Sequence, residues 1–243
     1  SSSYINRRRM IYVGANDGML HGFDATNSSD GGKEILAYIP NTAITSQTIA
    51  SGKSDLRSLT RPDYTHKYFV DGSPRAGDVY FGSAWHTVLV GTMGAGGKGI
   101  FALDVTNPDA FTKNNVLWEI NTVSSPNISD LTDTSSQAGF TNNLGFTFSQ
   151  SSVVRMANGK WAAIIGNGYN SVNQKAVLYI IDIQTGYLIK SIDTKVGSAT
   201  ALNGLSTPVA VDINDDRIVD TIYAGDLQGN LWKFDVSSTS TNS

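Results

Sequence analysis

The densest oxygen chemistry in the chain lies in one short run. Asp212-Ile213-Asn214-Asp215-Asp216-Arg217-Ile218-Val219-Asp220 carries side-chain oxygens at loop positions 1, 3, 5 and 9. That is the spacing of an EF-hand calcium loop, in which residues 1, 3 and 5 of a tight turn point inward at one ion. The backbone carbonyl at position 7, here Ile218, adds a further oxygen. Hard oxygen donors in this number suit calcium better than zinc, which prefers nitrogen and sulfur. The sequence therefore predicts a metal site of Asp212, Asn214, Asp216, the Ile218 carbonyl and Asp220. Two positions depart from an EF-hand. Arg217 stands where the sharp turn normally takes Gly, and Tyr223 stands where the bidentate Glu would be. The flanking VAVDI and IVDTIYAG read as strands rather than helices. A solvated acidic turn with no ion is the competing reading. Against it, four carboxylates within nine residues repel one another unless a cation sits among them.

Other chemistry-bearing residues form weaker patterns. His21, His66 and His86 have no ligand spacing and read as strand or turn residues. Asp24, Asp104, Asp182 and Asp235 recur at strand ends, where a carboxylate caps the following turn. Gly94, Gly96, Gly97 and Gly99 join two strands and are not followed by Gly-Lys-Ser/Thr, so they do not form a phosphate loop. Trp85, Trp118, Trp161 and Trp232 sit in or beside strands, which suggests core packing. No G-x-S-x-G elbow is present. No residue is assigned a catalytic role.

The elements that carry these residues repeat. Ile11 to Asp24 reads IYVGANDGMLHGFD and aligns without a gap on IYAGDLQGNLWKFD, Ile222 to Asp235. VLVG leading to GIFALD, and IIG leading to VLYIID, are partial copies between them. Each copy is an apolar strand, a Gly-rich turn and a second strand ending in Asp, which is a hairpin signal. One more strand precedes most hairpins and another follows most of them, giving a four-stranded antiparallel unit. No stretch keeps a 3.6-residue apolar period, so few helices are expected. The reading is an all-β fold, a β-propeller, over residues 1–243. The first unit has only its last three strands and the last only its first three. About three and a half blades result, as in a piece of a longer propeller. The recurring Asps are 80, 78 and 53 residues apart, whereas a blade takes about 40–50. Asn41 to Thr65 and Asn121 to Leu144, polar and weakly patterned, are the expected loop insertions.

Composition narrows the function. The net charge of −3 argues against a nucleic-acid binder. No apolar run approaches the ~18 residues of a membrane span. SSSYINRRRM lacks the apolar core of a signal peptide, which suggests a mature segment or an excised piece. The chain has no Cys, which removes disulfides, thiolate metal sites and Cys nucleophiles together.

MIYVGANDGMLHGFDA, FVDGSPRAGDVYF, WHTVLVGTMGAGGKGIFALDVTNP and YAGDLQGNLWKFD together resemble the C-terminal domain of the PilC/PilY family of type IV pilus biogenesis factors and tip-associated adhesins. The resemblance runs from Met10 to Asp235. It implies a modified seven-bladed propeller with a calcium loop on its edge, whose ligands fall on Asp212, Asn214, Asp216, the Ile218 carbonyl and Asp220. It also implies a part in pilus extension against retraction, in twitching motility, in attachment to host cells and surfaces, and in virulence. The implied partners are pilus subunits (minor pilins at the tip) and the host-cell surface. The implied location is exported, at the pilus tip, the outer-membrane surface or in the periplasm. The chain is shorter than the family's propeller domain. An Arg-Gly-Asp motif found in some members is absent, Arg75-Ala76-Gly77-Asp78 being a near miss.

Two other readings compete with a non-enzymatic, calcium-regulated module. A quinoprotein dehydrogenase propeller with a pyrroloquinoline quinone (PQQ) cofactor is echoed once by DIQTG, Asp182 to Gly186. A glycan-binding propeller is suggested by the surface loops and aromatics. The sialidase Asp box is not matched, because Asp226-x-x-Gly229-x-x-Trp232 has the wrong spacing.

Overall fold

A computed structural model describes residues 7–44, 56–122 and 139–239. It contains four antiparallel sheets. The first is β1 (Met10–Gly14), β2 (Leu20–Asp24) and β3 (Glu34–Tyr38). The second is β4 (Arg75–Phe81), β5 (Ala84–Thr92), β6 (Gly99–Asp104) and β7 (Val116–Asn121). The third is β8 (Ser152–Arg155), β9 (Trp161–Gly166), β10 (Val177–Asp182) and β11 (Leu188–Asp193). The fourth is β12 (Val209–Val211), β13 (Thr221–Gly225) and β14 (Leu231–Asp235). These are the blades of a propeller, four-stranded in the middle and three-stranded at both ends, as the repeat count predicts. Helix is confined to short turns such as Asn41–Ile44 and Leu56–Thr60. No helix among the described residues is long and apolar enough to cross a membrane. The expected insertions at 41–65 and 121–144 run through residues 45–55 and 123–138, which lie outside the described residues.

The gapless repeat is reproduced as register. Ile11 pairs with Phe23 and Gly14 with Leu20, and in the last blade Ile222 pairs with Phe234 and Gly225 with Leu231. The reason is local. Gly18 and Gly229 take φ of 96° and 85° at matching turn positions, a conformation glycine adopts without a Cβ penalty. The Asp17 and Asp226 side chains accept the amides of Met19 and Gln228, fixing each turn and with it the pairing.

A second device repeats at the strand ends. The pairing shifts between Gly22 and Phe23, between Ala102 and Leu103, and between Ile180 and Ile181. Each shift falls just before a recurring Asp. The carboxylates then cap the turns as expected: Asp24 accepts from Thr26 N, Asp104 from Thr106 N, Asp182 from Gln184 N and Asp235 from Ser237 N, at 2.7–3.1 Å.

Successive blades pack face to face over three apolar cores. Phe69, Leu89, Phe101 and Leu103 fill the first. Trp118, Tyr179, Val90 and Ile165 fill the second. Ile164, Leu178, Ile222 and Phe234 fill the third. All six residues of β10 are buried, because this strand has a neighbouring blade on each face and so reads as a continuous apolar run. β4, β8 and β12 lie side by side as the adjacent edge strands of their blades.

Candidate functional site

The acidic run forms the β12–β13 loop, between two strands as its flanks predict. Its side chains turn back on its own backbone. Asp212 Oδ1 and Asn214 Oδ1 both accept the amide of Asp216, at 3.3 and 3.0 Å. Asp212 Oδ2 accepts from Arg217 N at 2.6 Å, Asp216 Oδ1 from Ile218 N at 2.8 Å and Asp220 Oδ2 from Ile213 N at 2.8 Å. The oxygens of Asp212 and Asn214 therefore converge on one amide, and Asp220 closes the loop from its far end. Asp215 and Arg217 have φ of 62° and 67°. Arg217 thus takes the left-handed conformation of the EF-hand glycine position, at the cost in strain that a non-glycine residue carries there.

The loop is exposed at its tip and anchored at its base. Residues 213–217 are open to solvent, whereas Val219 is buried at 6% in the core between the last two blades. Three backbone bonds hold it: Val219 N to Arg155 O, Asp220 N to Val211 O and Val236 N to Asp220 O, at 2.9–3.0 Å.

The donor chemistry fits a hard divalent cation, being three carboxylates, an amide and a backbone carbonyl within nine residues. Among the described residues no three His, Asp or Glu side chains gather into a metal cluster. The carboxylates of Asp212, Asp216 and Asp220 are instead engaged with the loop's amides.

The histidines each have a local partner. His86 Nδ1 meets Asp104 Oδ2 at 2.7 Å and stacks on Phe81. His66 packs edge-on against Tyr68. His21 is bracketed by Glu34 at 2.5 Å and Asp17 at 2.9 Å. The hydrogen bond that the His21 ring donates to Glu34, seconded by Asp17 and opposed by burial, raises its pKa above the usual value. Glu119 was not singled out by its sequence. It is 4% exposed and accepts hydrogen bonds from the Tyr38 hydroxyl and the Asn41 amide. Burial pushes its pKa up to about 7, against the pull of the Asn41 amide.

The tryptophans divide. Trp118 is fully buried and donates its indole N–H to Ile183 O at 2.9 Å. Gly186, with φ of 76°, sits so close that a Cβ there would lie 2.7 Å from Trp118 Cγ. The DIQTG segment is thus the dock for a tryptophan of the preceding blade. Trp232 donates to Asp226. Trp85 departs from the core-packing expectation and is 50% exposed, because it follows the Gly82–Ser83 turn and projects at the end of the β4–β5 hairpin. A bulky aromatic two residues after a Gly-Ser turn was the sequence signal for this.

Comparison with known proteins adds to the geometry. Residues 2–243 match the family model described as the PilY1 beta-propeller domain. The chain is 43% identical over 239 residues to the type IV pilus biogenesis factor PilY1 of Pseudomonas aeruginosa, covering 97% of this chain and 18% of that protein. It is 41% identical over 250 residues to a PilY1 homolog of Xylella fastidiosa, covering 97% of this chain and 15% of that one. The chain therefore spans less than a fifth of the length of these curated relatives. The crystal structure of the P. aeruginosa PilY1 C-terminal domain superposes with a TM-score of 0.70 at 41% identity, over 95% of this chain and 39% of that one. A quinohemoprotein alcohol dehydrogenase of Pseudomonas putida superposes with a TM-score of 0.51 at 13% identity, over 95% of this chain and 32% of that one, and shares the fold.

Proposed function

This chain belongs to the PilY1 β-propeller family, and from that premise we propose that it is the non-enzymatic propeller module of an exported type IV pilus biogenesis factor. In this role it supports pilus extension against retraction and contributes to attachment to host cells and other surfaces. It acts at the pilus tip, the outer-membrane surface or in the periplasm, with pilus subunits as partners. The observation that carries the reading is the identity of 43% maintained over 97% of the chain with a protein named as a pilus biogenesis factor. The quinoprotein reading has less support. Its sequence echo, DIQTG, occurs once, the chain has no Cys pair, and the likeness to a quinohemoprotein dehydrogenase stands at 13% identity.

The β12–β13 loop is the regulatory site in this reading. Asp212, Asn214, Asp216, the Ile218 carbonyl and Asp220 would hold calcium. The cation supplies neutralising charge among carboxylates that otherwise repel, and it stiffens a loop anchored to two blades. A partner that reads the stiffened loop responds to calcium only through its different affinity for the two states.

The test uses the full-length protein in its own bacterium. Deletion of the gene is expected to remove surface pili, and further deletion of the retraction motor is expected to restore them. Restoration of pili by the full-length gene, but not by one lacking this propeller, supports the proposal. Unchanged piliation on deletion rejects it.

A further inference from the structure

Three large aromatic side chains meet on the surface where the second and third blades adjoin. Tyr80 and Trp85 are a cross-strand pair at the end of the β4–β5 hairpin. Their ring centroids are 5.5 Å apart and the rings stand at 66° to each other. Trp161 opens β9 and sets its ring against Trp85 at 6.0 Å and 70°. Packing explains Trp161, which leans on the core between these blades. It does not explain Tyr80 at 48% exposure or Trp85 at 50%. Contiguous exposed apolar surface with a polar rim marks a binding site, and Tyr and Trp are the side chains most used for such contacts.

Arg155 supplies an independent observation. It ends β8 and is the cross-strand partner of Trp161, so the two side chains share a face. It is exposed, and among the described residues its guanidinium has neither a hydrogen bond nor an ion pair. Other cations at this end of the blades are committed, Lys160 to Asp182 and Arg8 to Asp24 and Asp109. The backbone of Arg155 is held in place, since its carbonyl accepts the amide of Val219.

We propose that Tyr80, Trp85, Trp161 and Arg155 form a binding site for an acidic glycan, with a pyranose ring stacked on the exposed aromatic faces and its carboxylate on the Arg155 guanidinium. A pyranose presents a face of C–H groups rimmed by hydroxyls, which suits an open indole whose π face is negative. A planar guanidinium pairs with a carboxylate through two parallel hydrogen bonds. The rings brace one another edge to face, so little side-chain entropy is lost on binding. The centroid spacings of 5.5 and 6.0 Å between neighbouring rings give the cluster the span of one or two sugar rings. The site stands on its own geometry, and the pilus reading gives it an adhesive use.

The test applies the full-length protein, in calcium-containing buffer, to an array of sialylated and uronic-acid oligosaccharides beside their carboxyl-reduced counterparts. Wild type is expected to bind the carboxylated forms about tenfold more tightly than the reduced ones. Arg155→Gln is expected to abolish that preference while leaving weak binding to both. Trp85→Ala is expected to weaken binding to both by about tenfold or more. A thermal melt reports whether Trp85→Ala stays folded, and if it does not, the exposed Arg155→Gln decides alone. Equal affinity of wild type for carboxylated and reduced forms overturns the proposal, as does the absence of glycan binding, binding to protein ligands only, or unaltered binding by Arg155→Gln. Surface piliation is expected to be normal in both variants, so failure of the glycan site is distinguishable from failure of the pilus role.

Discussion

The amide of Val219 donates to the carbonyl of Arg155 across 3.0 Å. This one bond joins the acidic loop of the last blade to the edge strand of the blade before it. Val219 itself is buried beside that contact. Arg155 is also the cross-strand partner of Trp161, so the residue that holds the base of the loop lies on the strand beside the exposed aromatic cluster.

Calcium is expected to raise the melting temperature of the full chain and of the full-length protein. At a concentration of 100 times Kd the gain is about 2.7 kcal/mol. Titration calorimetry of wild type against Asp220→Ala checks this. Asp220→Ala is expected to lose the binding heat and the thermal gain together, and equal binding by both proteins would exclude the site.

Trp118 and Gly186 are expected to act as one interblade lock. Trp118→Ala should cost about 3–5 kcal/mol, the range for emptying a core indole site. Gly186→Ala should cost about 1–3 kcal/mol, since its φ of 76° and the 2.7 Å approach to Trp118 both oppose a Cβ. Denaturant midpoints measure both. The double mutant should lose less than the sum, because the two residues share one contact.

Glu119 makes stability fall with rising pH. Its folded pKa of about 7 lies above its usual 4.5, so the folded state holds the proton more tightly than the unfolded chain does. That contribution is complete below about pH 4.5 and is lost as pH rises through about 7, a change of about 3 kcal/mol. Glu119→Gln is expected to flatten the profile over this window in urea melts at fixed ionic strength. A profile with the wild-type slope in the variant would rule out Glu119 as the source.

His21 gives a change of the same sign in a different window. Its pKa is raised from 6.5 by Glu34 and Asp17, so its contribution is complete below pH 6.5 and disappears as pH rises through the folded value. NMR titration of the His21 ring should show the upward shift, and Glu34→Gln should bring it back toward 6.5. His21→Gln is expected to remove the corresponding part of the pH dependence of stability.

The blade architecture was readable from the chain because hairpins are local. Gly18 and Gly229, with Asp17 and Asp226, set turn and register within a few residues, so two distant segments of matching sequence adopt the same pairing. The capping role of Asp24, Asp104, Asp182 and Asp235 is equally local, since each carboxylate reaches an amide two residues on. The oxygen spacing of Asp212 to Asp220 is contained in one loop and was visible for the same reason.

Which residues face one another between blades was decided only by tertiary packing. Trp85 and Trp118 both lie in strands with similar neighbours, yet one projects from a hairpin end and the other is sealed under Gly186, 68 positions away in the sequence. Glu119 became a buried carboxylate only when β7 was packed against the Tyr38 and Asn41 end of the first blade. Arg155 came to lie beside the aromatic cluster because β8 lies next to β4. A strand's side-chain alternation is written in its own residues. The partner across a blade interface is chosen by the stacking of sheets that the chain reaches only after long, variable connections.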